Sequence, residues 1–144
     1  METKNKIILA DTSALISLFI DTDSQHARAQ AIAESLNDEQ LSVFIPGEVL
    51  AETLNILGRK CGHAQAVRFV EELLRSVVFV VKPSSDIARE DAIALFGGLP
   101  AGVSYTDCLV MAMAQEYGTV EIFGFDEVFR KRGYFLPTHS KRAA

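Results

Sequence analysis

The stretch Lys6–Leu18, KIILADTSALISL, decides the fold class of this chain. It opens on a short apolar run, Ile7–Ala10, in which polar and apolar residues do not alternate. Such a run is typical of a strand that is buried on both faces of a parallel sheet. Asp11 ends the run, and a helical pattern begins directly after it. Because open α/β sheets bind ligands at the carboxyl ends of their strands, we expect Asp11 to lie at a ligand-binding edge.

The rest of the chain alternates between strand patterns and helix patterns. Further strands are predicted at Leu41–Ile45, Val77–Val81, Val120–Phe123 and Tyr134–Leu136. Helices are predicted over Ser13–Ile20, His26–Leu36, Pro46–Leu57 (where Gly58 should end the helix), His63–Ser76, Asp86–Phe96, Ser104–Tyr117 and Glu127–Arg132. This order predicts a three-layer α/β/α sandwich with a mostly parallel central sheet of four to five strands. Residues 1–137 are expected to form one domain, followed by a short, basic and mobile tail at 138–144.

Composition bounds the class of function. The 144 residues carry a net charge of −5, which argues against nucleic-acid binding through a broad basic surface. It does not exclude a nuclease, because negative charges gathered at one site can be neutralised there by metal ions. The two cysteines and three histidines show no zinc-ligand spacing. No apolar run reaches the roughly 20 residues that cross a bilayer, and no secretory signal is evident, so a cytoplasmic location without membrane association is expected.

Two aspartates follow predicted strands in the same way. Asp11 comes directly after the first strand, and Asp126 follows the strand Val120–Phe123 through Gly124 and Phe125. Each aspartate could simply cap the helix that follows it. Their repetition on parallel strands, however, places two carboxylates at one edge of the sheet.

Further candidate acids lie in predicted helices. Asp107 stands in the first turn of an apolar helix, where Ser104 and Asp107 also have the spacing of a capping box. Glu48 and Glu52 are four residues apart and share a helix face. Either glutamate could be an ordinary solvated residue, but the apolar neighbours of Glu52 make it the stronger candidate.

A cluster of these carboxylates would need cations, because several of them cannot all stay ionised at close range. Hard oxygen ligands of this kind suit Mg²⁺ or Mn²⁺. Two such ions can hold a phosphodiester and activate water for its hydrolysis. No serine–histidine pair competes as a catalytic site, and DTSAL lacks the glycines of a phosphate-binding loop.

At these positions the chain resembles the PIN-domain nucleases, and in particular the VapC-type toxins of toxin–antitoxin pairs. The matching segments are IILADTSAL, FIPGEVLAETLNIL, SYTDCLVMAMAQEYG and IFGFDEVFRKRGY, in the order of the family. The resemblance implies a parallel α/β/α sandwich and Mg²⁺- or Mn²⁺-dependent cleavage of single-stranded or structured RNA. It also implies homodimers and a small antitoxin whose tail blocks the site.

Carried over residue by residue, the resemblance makes Asp11, Glu52 and Asp107 the main catalytic metal ligands. Asp126 would be the fourth and more variable ligand, and Ser13 would help to hold the site. The metal-dependent ribonuclease is therefore the first hypothesis for the function. An inactive PIN-like binding or scaffold module is the alternative. A phosphatase of the haloacid dehalogenase type, with Asp11 as nucleophile, would need a second aspartate where Ser13 stands.

Two features depart from the family. The segment Phe123–Phe125 lacks the threonine or serine that relatives often carry there. The acidic balance is also unusual for a protein that grips RNA. Local basic patches could compensate for it, or these same residues could be solvated helix-end charges: Arg59, Lys60, Arg130, Lys131 and Arg132.

Overall fold

A computed structural model describes residues 6–137, in which four strands alternate with seven helices. The predicted tail at 138–144 lies outside the described residues. The strands are β1 (Ile7–Ala10), β2 (Ser42–Pro46), β3 (Phe79–Lys82) and β4 (Ile122–Phe123). The helices are α1 (Thr12–Phe19), α2 (His26–Asp38), α3 (Gly47–Cys61), α4 (His63–Arg75), α5 (Asp86–Gly98), α6 (Tyr105–Glu116) and α7 (Glu127–Lys131).

All strand pairs in the described sheet are parallel, in the order β3-β2-β1-β4. The chain moves outward from β1 to β2 and β3, and then returns to the other side of β1 as β4. The carboxyl ends of β1 and β4 therefore form the point where the strand order reverses, which is the usual ligand site of an open α/β sheet. The predicted α/β/α class and its mostly parallel sheet are confirmed. The predicted fifth strand is reduced to a single parallel bridge between Glu121 and Phe135.

The core lies on both faces of β1, as its apolar run predicts. Ile8, Leu9 and Ala10 have no exposed surface. On one side packs α6, whose residues from Cys108 to Ala114 are all buried. This all-round burial of α6 brings its N-terminal turn to the edge of the sheet where β1 and β4 end.

Several predicted element ends were wrong, and two of them have a clear physical cause. The third strand begins at Phe79 and not at Val77, because Ser76 turns the chain by accepting a hydrogen bond from the Val78 N–H, and Val77 is left exposed. The helix α3 runs through Gly58 to Cys61. It ends at Gly62, whose φ of 96° lies in the left-handed region that glycine adopts without strain.

Candidate active site

Three aspartates from different parts of the chain meet at the carboxyl ends of β1 and β4. One oxygen each of Asp11, Asp107 and Asp126 lies within 4.8 Å of the others. Asp11 and Asp107 are buried, whereas Asp126 is half-buried. Of the four carboxylates predicted from the sequence, the structure thus brings three together in one acidic cluster.

The two oxygens of Asp11 have different surroundings. Oδ2 accepts hydrogen bonds from the backbone N–H of Ser13 at 3.2 Å and from the Ser13 hydroxyl at 3.0 Å. Oδ1 is buried and has no hydrogen-bond partner among residues 6–137. The helix-capping role and a ligand role are therefore compatible, because one oxygen caps α1 and the other is left for a cation.

Ser13 ties the carboxyl ends of the neighbouring strands β1 and β4 together at this edge. While its hydroxyl donates to Asp11, it also accepts a hydrogen bond from the Phe125 N–H at 2.9 Å. The Asp11 N–H donates to the Phe123 carbonyl at 2.9 Å. The position of Asp11 relative to the turn after β4 is thus fixed by side-chain and backbone contacts.

Asp107 both caps helix α6 and belongs to the acidic cluster. It forms a capping box with Ser104: the Asp107 N–H donates to Ser104 Oγ at 3.0 Å, and the Ser104 N–H donates to Asp107 Oδ2 at 3.4 Å. The same carboxylate belongs to the acidic cluster. The N-terminal end of the α6 dipole favours a negative charge at this position.

Glu52 lies beside the cluster and not within it. It lines the same cavity of about 510 Å³ as the three aspartates. One of its oxygens accepts a hydrogen bond of 2.6 Å from the Thr12 hydroxyl, which holds it to the start of α1. The reason is geometric: Glu52 comes from α3, which follows β2, so it enters the cavity from the neighbouring strand. Glu48 points elsewhere, where it accepts a hydrogen bond from Ser84 at 2.8 Å.

The cluster is electrostatically unfavourable without a counterion. Burial, and next the charge of Asp126, raise the pKa of Asp11 from 3.8 to about 6, although the hydrogen bonds from Ser13 lower it. Burial and the charges of Asp11 and Asp126 raise the pKa of Asp107 from 3.8 to about 7. Such shifts make the site receptive to a cation, which would hold these carboxylates in their ionised form.

These raised pKa values predict how the stability of the metal-free protein depends on pH. Folding favours the protonated forms of Asp11 and Asp107, so the contribution of these groups is greatest below the unfolded pKa of 3.8 and is lost as the pH rises through about 6 and 7. In EDTA, the melting temperature should therefore fall between about pH 5 and pH 8. Added Mn²⁺ should raise the melting temperature, and raise it more at the higher pH, because protons and metal compete for the carboxylates. An equal effect of Mn²⁺ at both pH values would contradict this account.

Basic residues lie on both sides of the acids. Lys60 lines the cavity that contains Glu52. A second cavity, of about 580 Å³, shares Asp107 and Asp126 with the first and is also lined by Lys131 and Arg132. Asp107 and Asp126 thus lie between two cavities that are each lined by at least one basic side chain. Arg130 is placed differently, since its guanidinium donates to the Gly124 carbonyl.

Two residues of the site were missed in the sequence. Thr12 holds Glu52, and nothing in DTSAL indicates a partner forty positions away. Gly124 lies so close to Asp11 that an added Cβ would stand 2.7 Å from the Asp11 Cβ. A glycine within a short turn is too common to reveal such a contact, so only the folded arrangement shows it.

An open parallel sheet with buried acids at its switch point defines an α/β protein with a cation-receptive cleft. The PIN domain family matches residues 8–133, and the chain belongs to this family. The resemblance to PIN-domain nucleases that the four sequence segments indicated is thereby confirmed. In the residues that the structure describes, no helix is long and apolar enough to span a membrane.

The proteins similar to this chain include a toxin of known structure. The chain is 27% identical over 128 residues to the 23S rRNA-specific endonuclease VapC20 of Mycobacterium tuberculosis, in both strains CDC 1551 and H37Rv, covering 89% of this chain and 95% of the relative. The crystal structure of VapC20, described as a sarcin–ricin loop cleaving toxin, matches with a TM-score of 0.74 at 26% identity, over 90% of this chain and 96% of that one. The VapBC2 structure from Rickettsia felis, bound to a DNA fragment from its promoter, matches with a TM-score of 0.67 over 91% and 97% of the two chains; at 15% identity it shows the shared fold.

Proposed function

We propose that this protein is a metal-dependent endoribonuclease and the toxin of a toxin–antitoxin pair. The observation that carries the proposal is the cluster of Asp11, Asp107 and Asp126, in which one buried oxygen of Asp11 has no hydrogen-bond partner among the described residues. Similarity to VapC20 over nearly the whole of both chains supports the same reaction class.

Mg²⁺ or Mn²⁺ is the proposed cofactor. The donor set consists of carboxylate oxygens, which these ions prefer, and the raised pKa values of two of the acids reflect a need for positive charge. The metal would be held by Asp11, Asp107 and Asp126, and Glu52 would complete the site from helix α3. When bound, the metal would activate water and stabilise the charge that develops on the phosphodiester.

The chain's own residues position these groups and bind the substrate. Ser13 orients Asp11, the Ser104 N–H orients the Asp107 carboxylate, and Thr12 orients Glu52. Lys60 in one cavity, and Lys131 with Arg132 in the other, would bind phosphates of one RNA strand on either side of the acids. Such local charge resolves the conflict between RNA binding and a net charge of −5.

The relatives suggest a target and partners. A structured loop of ribosomal RNA is the first substrate to test, since VapC20 is named as specific for 23S rRNA. Such a substrate places the reaction in the cytoplasm. By the family resemblance, we expect products with a 3′-hydroxyl and a 5′-phosphate, a homodimeric enzyme, and a small antitoxin that blocks the site.

The proposal is tested by incubating purified, antitoxin-free protein with total cellular RNA in Mg²⁺, in Mn²⁺ and in EDTA, beside the variant Asp11→Asn. Discrete fragments that need metal and that are absent with the variant would support the nuclease and identify its target by mapping the cut ends. If folded protein cuts no RNA in either metal, the proposal fails, and the inactive binding module becomes the better interpretation.

The two glutamates of α3 provide a matched test of which residues belong to the active site. Both are half-buried and both accept a hydrogen bond from a hydroxyl, but Glu52 lines the cavity and Glu48 does not. We expect Glu52→Gln to lower the cleavage rate by about 10- to 100-fold, the cost typical of perturbing the support of a metal site. Glu48→Gln should change it by no more than about twofold, as a substitution distant from the chemistry does. Equal losses of activity, measured with the mapped substrate, would show that the assignment of Glu52 is wrong.

A further inference from the structure

Phe125 occupies an unusual place beside the acidic cluster. It stands between β4 and Asp126, and its half-buried side chain lines the cavity that contains the three aspartates. Among the described residues that line this cavity, it is the one aromatic side chain. The ring packs against the hydrophobic core and also lines this polar cavity, so its remaining surface is available to a ligand with an apolar face.

Several contacts hold Phe125 in place. Its backbone N–H donates to Ser13 Oγ at 2.9 Å, and Arg130 holds the preceding carbonyl, that of Gly124. The buried ring of Phe123 meets it edge-on, with centroids 6.3 Å apart and an angle of 72° between the planes. Phe125 is therefore presented to the cavity by a rigid support, which lowers the entropic cost of binding to it.

Positive charge accompanies the ring. The guanidinium carbon of Arg28, an exposed residue of α2, lies 5.7 Å from the Phe125 centroid. Arg130 also lies near this pair. Burial and the positive charge of Arg28 lower the pKa of Arg130, and the negative charge of Asp126 only partly opposes this shift. An exposed cation–π pair contributes little to stability, so internal stability is a weak reason for this arrangement. An aromatic face beside a cation instead matches the two parts of a nucleotide, its base and its phosphate.

We propose that Phe125 is a stacking platform for a nucleobase next to the cleaved phosphodiester, and that Arg28 binds a phosphate of the same strand. The inference rests on the proposed ribonuclease function and adds a substrate-binding position to it. It gives a role to the aromatic residue that lines the cavity of the acidic cluster. Stacking is tolerant of base identity, so this position would supply affinity more than sequence selectivity.

The chain contains no tryptophan, which allows a direct optical test. In the variant Phe125→Trp, the new indole is the sole tryptophan, and a base stacked on it should quench its fluorescence. The probe is an RNA oligonucleotide that spans the mapped cleavage site, titrated in EDTA so that it stays intact. A series of the same oligonucleotide with one abasic nucleotide at successive positions should restore the fluorescence at one position near the cut. Binding itself is followed by anisotropy of a label on the RNA.

Kinetics separates a binding role from a structural one. Phe125→Leu keeps an apolar side chain without a stacking face, and its KM should rise about tenfold while kcat stays within about threefold, because stacking is worth about 1–3 kcal/mol per base. Phe125→Trp should restore KM. Phe135→Leu, at an exposed phenylalanine on the sheet edge, is the matched control and should leave both constants unchanged.

The outcomes distinguish the two proposals. If the wild-type protein cleaves its RNA but Phe125→Leu has a normal KM, or if no abasic position restores the fluorescence of bound Phe125→Trp, the platform is overturned and the nuclease stands. If the wild-type protein neither binds nor cleaves RNA, the proposed function fails and the platform fails with it. A quench confined to one position, with a rise in KM for Phe125→Leu, supports the platform.

Discussion

Asp11→Asn should abolish RNA cleavage and, at the same time, make the metal-free protein more stable at pH 8. The loss of activity follows from the place of Asp11 in the cluster, where Oδ1, which has no hydrogen-bond partner in the part of the chain that the structure describes, is the oxygen left for a cation. A neutral amide is a poor ligand for a hard divalent ion, so we expect a fall in rate of at least about 10³-fold. The fold should survive, because the amide oxygen of asparagine can still accept both hydrogen bonds from Ser13.

The gain in stability follows from the pKa of the group that is removed. Keeping Asp11 ionised above its raised pKa costs about 3 kcal/mol, since its pKa moves from 3.8 to about 6 and each pKa unit corresponds to about 1.4 kcal/mol. The substitution removes this cost at pH 8 and has little effect near pH 4, where the folded carboxyl is already protonated. It should also weaken the rise in melting temperature that Mn²⁺ causes.

Thermal denaturation in EDTA across pH, together with cleavage of the mapped substrate, checks both effects. Asp38→Asn, at an exposed carboxyl at the end of α2, is the matched control and should alter neither activity nor the pH dependence. Wild-type cleavage by Asp11→Asn would show that the site assignment is wrong. A variant that is less stable than the wild type at pH 8 would show that the burial cost is offset within the protein.

The sequence predicted the arrangement of the fold because hydrophobic patterning is a local signal. The unalternating run Ile7–Ala10 required burial on both faces, and the structure places it in the centre of the sheet. Asp11 and Asp126 follow adjacent strands, so two parallel strands were enough to predict that they share an edge. The element ends were less certain, as Gly58 shows: a glycine within a helix and a glycine that ends one look alike until φ is known.

The candidate site could be predicted only as far as its ligands come from strand ends and a helix start. Glu48 and Glu52 have the same residue type and share a helix face, and the sequence favoured Glu52 only through its apolar neighbours. The structure separates the two glutamates by the partner that each one meets. Glu52 meets Thr12 at the start of α1, while Glu48 meets Ser84 in the segment before α5. Those contacts depend on how α3 lies across the sheet, which no local pattern encodes.

Gly124→Ala should damage both the fold and the site, although it replaces only one hydrogen by a methyl group. The methyl group would stand 2.7 Å from the Asp11 Cβ and 2.9 Å from Phe129 Cε2, both closer than non-bonded carbon atoms approach. Neither neighbour can yield easily. Asp11 is anchored through Ser13 and the Phe123 carbonyl, and Phe129 is fully buried. We expect a loss of about 2–3 kcal/mol, because overpacking of a close-packed interior costs about this much.

A displacement of Asp11 should also lower the cleavage rate. If Asp11 yields, its carboxylate moves within a cluster whose oxygens lie within 4.8 Å of one another, so cleavage should fall by more than about tenfold. Gly58→Ala is the matched control: Gly58 lies within α3, where, apart from the adjoining helix backbone, no atom of residues 6–137 comes within 4 Å of an added Cβ, and the substitution should stabilise the protein by about 0.5–1 kcal/mol. Denaturant unfolding and metal-dependent cleavage of both variants decide the matter. If Gly124→Ala retained wild-type stability and activity, the turn after β4 would have to be free to move away from β1, and the fixed position of Asp11 could not explain the site.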